Sequence, residues 1–213
     1  MAEPPRQSPP QYATRCLGND WAGGVNLQLG PVAALVPVKA FADAKVRLAP
    51  ALPPPERAAL ARVMAERVVA AARPLPTAVV CDNVEVAAWA RGLGVLVVWE
   101  PGRGLNGAVE AGVGQLGRLG VERVVVAHAD LPLATSLAWV ADFTGVTLVP
   151  DRADDGTNVA CVPAGAGFRF AYGPGSFARH RAEAHRLDLP LRVVREPSLS
   201  WDVDVPADLI SLR

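Results

Sequence analysis

Short β-branched runs alternate with longer amphipathic stretches over most of this chain, the rhythm of a largely parallel sheet flanked by helices. The run 33–38 predicts a first strand, and a loop over 39–55 leads into a helix over 56–73, where Leu60, Val63, Met64 and Val68 recur at helical spacing. Strands over 77–81 and 95–99 with a helix over 84–91 between them have short βαβ spacing. A glycine-rich turn over 102–107 opens a helix to about residue 119. The run 121–127 is the most hydrophobic, as suits a central strand buried on both faces. After Asp130 the rhythm changes. The pattern predicts a helix over 135–142, a strand over 146–149, antiparallel strands over 158–163 and 168–172, a helix over 176–187, a strand over 191–194, and an extended segment over 201–205 before a last short helix. The expected class is therefore α/β with a mixed, mainly parallel sheet.

Residues 1–30 break this pattern. They carry Pro4, Pro5, Pro9 and Pro10 without apolar periodicity, and read as a poorly ordered tail before a single domain over 31–213. A composition 51% hydrophobic and 20% charged is enough for a substantial core. The 21 basic and 21 acidic residues cancel, so no broad positive field draws the chain to nucleic acid or anionic membrane, and a small-molecule partner is expected. No apolar run approaches the roughly 18 residues that cross a bilayer. Cys16, Cys81 and Cys161 lack disulfide-framework or zinc spacing, and a reducing cytoplasm is the expected location. Lys39 and Lys45 are the only lysines in an otherwise arginine-using chain, which suggests a need there for compact ammonium groups.

In open α/β sheets ligands bind beyond the carboxyl ends of the strands. The first strand runs into Lys39 and the central strand into His128, Ala129 and Asp130. Lysine and aspartate at neighbouring strand ends suit a metal-bound polyphosphate, although taken alone they equally describe a surface ion pair. Asp202 and Asp204 alternate around Val203 and so share a face of an extended segment. Two such carboxylates repel unless a cation joins them, and with Asp130 they make a set of hard oxygen ligands suited to Mg²⁺. The segment Pro101-Gly-Arg-Gly-Leu-Asn-Gly-Ala108 fits neither common phosphate-loop pattern, and Asn106 reads as a helix cap or a contact to a purine or ribose. Ser176 stands where a helix N-terminus would cap itself or favour an anion. His128 reads as a satisfied core histidine, and His180 and His185 as surface residues.

Taken together and in order, these segments resemble one family, the 2-phospho-L-lactate and phosphoenolpyruvate guanylyltransferases of coenzyme F-420 biosynthesis. The resemblance covers residues 31–213 and rests on Val36-Pro-Val-Lys39, Ala44-Lys-Val-Arg-Leu48, Gly104-Leu-Asn-Gly107, Ala129-Asp-Leu-Pro132, Pro150-Asp-Arg152, Gly156-Thr-Asn158, Phe170-Ala-Tyr-Gly-Pro-Gly-Ser-Phe177 and Asp202-Val-Asp204. It implies a nucleotide-diphospho-sugar transferase-like fold that transfers GMP from GTP to a small phosphorylated carboxylic acid. Phosphoenolpyruvate is favoured as acceptor over 2-phospho-L-lactate. It implies Asp130, Asp202 and Asp204 as magnesium ligands, and Thr157, Gly173 and Ser176 as acceptor-binding positions. Lys39, Lys45 and Arg47 fall in its phosphate-facing loop and Asn106 in its nucleotide-side loop; Lys39, Lys45 and Asp130 are the expected catalytic set. Val46 stands where many relatives have serine, and the acidic loop 153–156 departs from the pattern. A homodimer, and hand-over of product to the next enzyme of the pathway, are compatible expectations. The residues alone leave open a molybdopterin- or sugar-type nucleotidyltransferase and a non-catalytic nucleotide-binding regulator.

Overall fold

The computed structural model describes residues 29–210. The expected tail lies outside the described residues except for Leu29 and Gly30, as does Cys16. Seven strands form one sheet in the order β3-β2-β1-β4-β6-β5-β7. They are β1 (Val32–Pro37), β2 (Thr77–Cys81), β3 (Leu96–Trp99), β4 (Arg123–Ala127), β5 (Val146–Pro150), β6 (Thr157–Pro163) and β7 (Leu191–Val193). Strands β1 to β4 are mutually parallel where they pair, and β5 pairs parallel with β7. Only β6 runs the other way, antiparallel to both β4 and β5.

Helices cover both faces, α1 (Pro54–Ala71) and α2 (Val84–Gly92) on one and α3 (Gly104–Arg118) and α4 (Ser176–Arg186) on the other; α5 (Pro197–Ser200) and α6 (Pro206–Ile210) are short. The two-residue period of a strand sorts each run between two cores. Ala34, Val36, Val79, Val125 and Val159 pack with Val68, Val86 and Trp89 from α1 and α2. Their neighbours Leu35, Val80, Val126 and Ala160 pack with Val109, Leu116 and Phe177 from α3 and α4. Double burial explains why these strands read as continuous apolar runs. Helix α1 opens with Pro54 in its first turn, where a missing N–H costs nothing, and α2 is capped by Asn83, whose side chain accepts from the Glu85 and Val86 N–H groups.

Three local expectations fail. Residues 168–172 form no strand: Phe168, Phe170 and Tyr172 turn their rings into the α4 core while their chain takes up side-chain partners instead of a ladder. The helix expected over 135–142 is a 3-10 turn over Ala138–Asp142, and α5 falls where no helix was expected.

The single reversed strand has a positional effect. Because β6 is antiparallel to β4, Ala127 at the end of β4 pairs with Val159 near the start of β6. Thr157 and Asn158 therefore reach the same sheet edge as Asp130, and the His128 N–H donates to the Asn158 carbonyl at 3.0 Å.

Candidate active site

Beyond the ends of β1 and β4 lies an open cavity of about 360 Å³, lined among others by Lys39, Lys45, Arg47, His128, Asp130 and Asp204. Lys45 is its electrostatic centre. Its backbone is left-handed, φ 55°, an uncommon and mildly strained state for a non-glycine residue, at the entry to the 3-10 turn Val46–Leu48. Its Nζ lies 2.6 Å from Asp130 Oδ2 and 3.1 Å from Asp204 Oδ1, so one ammonium bridges two carboxylates 74 positions apart in sequence. Burial works against the Lys45 charge, yet Asp130 and Asp204 hold its pKa above the ordinary lysine value. Asp130 is likewise penalised by burial, but Lys45 and then His128 keep its pKa below the usual aspartate range. Arg47 stands at the rim, 3.5 Å from Asp204 Oδ2. Lys39 is exposed, and among the described residues no ion pair engages it.

The C-terminal carboxylates are brought in by the backbone. The Val203 N–H donates to the Asp130 carbonyl at 3.3 Å and the Val203 side chain is fully buried, which fixes Asp202 and Asp204 on either side of that anchor. Asp208 supports the same segment by accepting from the Asp204 and Val205 N–H groups at 2.8 and 2.9 Å. Arg152 then binds Asp208 at 2.5 Å and lies 3.7 Å over the Trp201 ring. Asp202 accepts from Asn158 Nδ2 at 3.4 Å, and its pKa is raised by burial and by the charges of Asp130 and Asp204.

Do these residues suit a magnesium ion? Asp130 Oδ1 is buried with no hydrogen-bond partner, and Asp202 is destabilised as an anion by its two neighbours. Both observations indicate unmet demand for a cation, and carboxylate oxygens are the donors Mg²⁺ prefers. The fit is therefore chemical. Among the described residues no group of three or more His, Cys, Asp or Glu side chains is arranged to hold a metal, and the Lys45 ammonium stands between two of the three aspartates.

A second group gathers at the N-terminus of α4. Gly175, in the left-handed conformation with φ 71°, is the cap residue, so Ser176 is the first helical residue and not the N-cap. Ser176 is 1% exposed and Thr157 2%. Gly173 has φ 110°, which glycine adopts freely, and its carbonyl accepts from the Ser176 N–H. Asp151 folds the acidic loop before Thr157, its carboxylate accepting from the Ala153, Asp155 and Gly156 N–H groups. Asn106 does not cap α3: it lies inside the helix, and its Oδ1 accepts from the Tyr172 N–H at 2.7 Å.

His185 is exposed as expected, but the other two histidines depart from expectation. His180 is no surface residue, with 0% exposure; Phe177, His180 and Ala184 share the buried face of α4, a spacing of three and four already visible in the sequence. His128 is half-buried and unsatisfied, its Nε2 out of solvent without a partner and its ring 4.6 Å from that of Tyr172. Burial lowers the His128 pKa below the ordinary histidine value. Sequence reasoning places Asn158 and Arg152 in matching segments but assigns them no role, and gives no sign of Asp208; all three are ordinary polar residues whose partners come from distant segments.

The structure thus brings Lys39, Lys45, Arg47, Asp130 and Asp204 around one cavity. Asp202 adjoins them through Asn158, while Thr157, Gly173, Ser176 and Asn106 belong to the neighbouring group. A family model described as "Guanylyl transferase CofC like" matches residues 32–212. A phosphoenolpyruvate guanylyltransferase of Sphaerobacter thermophilus is 37% identical over 188 residues, covering 84% of this chain and 91% of the relative. One from Rubrobacter xylanophilus is 35% identical over 191 residues, covering 85% and 93%. Among solved structures, a Desulfovibrio desulfuricans protein assigned to the nucleotide-diphospho-sugar transferases superposes with a TM-score of 0.69 at 16% identity, covering 85% of this chain and 86% of that one. That likeness establishes the expected fold.

Proposed function

The chain belongs to the CofC-like guanylyl transferases, and on that premise we propose that it transfers GMP from GTP to the phosphate of phosphoenolpyruvate, releasing pyrophosphate, as a step of coenzyme F-420 biosynthesis. The observation that carries the reading at the level of chemistry is the Lys45 bridge between Asp130 and Asp204, inside a cavity that also receives Lys39 and Arg47. Such a place demands cations and supplies them, as a metal-bound triphosphate requires.

In the reaction a phosphate oxygen of the acceptor attacks the α-phosphorus of GTP. A phosphate monoester with a second pKa of about 6 is already ionised at neutral pH, so no residue need remove a proton. This suits a site whose one histidine at the cavity, His128, has its protonated form disfavoured by burial. Lys39, Lys45 and Arg47 offset the triphosphate charge. Mg²⁺ held by Asp130, Asp202 and Asp204 would supply further neutralisation where charge builds on the transferring group and leaving pyrophosphate. Thr157, Gly173 and Ser176 receive the acceptor beside the start of α4, where the Ser176 and Phe177 N–H groups are already taken by the Gly173 and Asp155 carbonyls and the side-chain hydroxyls are left to meet the anion. Asn106, in the first turn of α3, reads as a nucleotide-side residue and also ties α3 to Tyr172, so the two substrate regions share a strut. Holding two polyanions in line is then the main service of the protein.

Pyrophosphate release tests the reading. The full chain is mixed with Mg²⁺, one of GTP, ATP or CTP, and one of phosphoenolpyruvate, 2-phospho-L-lactate or 3-phospho-D-glycerate. Release is expected to be fastest with GTP and phosphoenolpyruvate. Release confined to another nucleotide, or to another acid, would overturn the assignment of that substrate.

A further inference from the structure

The acceptor group contains a buried hydrogen-bond chain whose direction can be worked out. The Ala171 backbone N–H, which can only donate, points to His180 Nε2 at 2.9 Å. That nitrogen is therefore an acceptor and carries no proton. Burial, with His128 and Arg179 adding to it, pushes the His180 pKa down to about 4, so the ring is neutral and its single proton is on Nδ1. His180 Nδ1 lies 3.0 Å from Thr157 Oγ1. The N–H donates, the hydroxyl oxygen accepts, and the threonine proton is left to point elsewhere.

Placement gives this direction a purpose. His180 follows Ser176 by four residues on α4, so the histidine is set one turn behind the residue at the helix start. The rings of Tyr172, Phe168 and Phe170 lie 4.9, 5.8 and 5.9 Å from His180 and fix its plane. Among the described residues His180 is the only hydrogen-bond partner of the Thr157 side chain. A hydroxyl free to rotate could present either its proton or a lone pair to an incoming anion, and only the proton attracts.

We propose that His180 is a positioning residue which, by donating to Thr157 Oγ1, commits the Thr157 hydroxyl to donate to the anionic acceptor. The inference rests on the reading that Thr157 contacts the acceptor. It extends that reading by making a neutral relay, Ala171 to His180 to Thr157, the source of affinity for the carboxylate or phosphate. The relay adds no charge. It works by ensuring that a buried polar group meets an anion with the correct end.

Steady-state kinetics with GTP and phosphoenolpyruvate varied separately test the idea on the full chain, with thermal melting to verify folding. Thr157→Val is expected to raise the KM for phosphoenolpyruvate by about tenfold, the scale of one hydrogen bond to a charged group, and to leave the KM for GTP within about twofold. His180→Gln, whose carboxamide extends towards the Ala171 N–H and abandons the Nδ1 position, should give a similar rise. The double variant should be no worse than either single, because both remove one coupled interaction. His180→Asn, which restores an N–H donor near the Nδ1 position, should recover most of the loss. If Thr157→Val raises the KM and His180→Gln does not, or if their effects multiply, the relay is wrong while the acceptor site stands. If Thr157→Val itself changes nothing, Thr157 does not touch the acceptor and the underlying site reading falls. Should the His180 variants fail to fold, ¹⁵N shifts of the parent imidazole at neutral pH decide: a protonated Nδ1 is expected, and a protonated Nε2 overturns the proposal.

Discussion

The two halves of the proposed site are built on opposite electrostatic plans. Around Lys45 the groups are ionised and in direct contact, and the cavity is open to solvent. Around Thr157 they are neutral and buried, joined through the His180 ring. A polyphosphate whose metal and leaving group change partners during reaction is served by fully charged side chains. A small acid that must be held still in one orientation is served by fixed hydrogen bonds with a set direction. The contrast also separates the two in stability, since like charges and the unpaired Asp130 Oδ1 and His128 Nε2 strain the first half while Thr157 and His180 of the second are hydrogen-bonded.

The charged half should break most visibly. Asp130→Asn leaves Lys45 with a weaker partner and removes a carboxylate from the proposed magnesium set, and it should cost roughly 10²-fold or more in turnover, comparable to losing a transition-state stabilising group. Its melting temperature should also rise less on addition of Mg²⁺ and GTP than that of the parent. A variant with parental turnover and an unchanged Mg²⁺ response would remove Asp130 from that role. Lys39→Ala comes next, at about tenfold in kcat/KM for GTP, since an exposed ammonium contributes less than a buried bridge; equal kinetics would show that it does not face phosphate. The acceptor half, probed through Thr157 and His180, should respond with a similar or smaller change confined to phosphoenolpyruvate.

Smallest in activity, but informative, is the pH dependence of stability. The His180 pKa is lowered in the folded chain from the ordinary 6.5 to about 4. Between these values the unfolded chain binds more protons, so stability rises with pH, is complete above about 6.5 and is lost as pH falls towards 4. His128 is shifted in the same direction and adds to the slope, whereas Arg179 lowers and Glu183 raises the His180 value. Chemical denaturation of parent and His180→Asn at pH 7 and pH 5 should show a shallower loss in the variant. Equal slopes would mean that His180 is not the titrating group.

Much of this was legible in the sequence because it is local. Double burial writes strands β1, β2 and β4 as apolar runs, and strand ends announce Lys39 and Asp130. The alternation of Asp202 and Asp204 around Val203 put both carboxylates on one face of the segment, while the burial of Val203 between them came only with the fold. What was not legible depends on partners far along the chain. Residues 168–172 have strand composition, but Asn106, Glu110 and His180 take their N–H groups before any ladder can. His180 looked polar and therefore exposed among the arginines of α4, although its spacing from Phe177 and Ala184 pointed inward. That Lys45, more than Lys39, would be the bridging cation depended on a left-handed backbone that composition does not reveal.

The Val203 anchor has a consequence in time. Its backbone bond to Asp130 joins the end of the central strand to residues that follow every strand of the sheet. During synthesis the chain emerges from its N-terminus, and early segments can begin to organise before later ones exist. A nascent chain can therefore pair β1, β2, β3 and β4 while Asp202 and Asp204 are still inside the ribosome. Until they arrive the carboxylate cluster is incomplete, and the half-made protein has a sheet but lacks two of the three carboxylates proposed for the site.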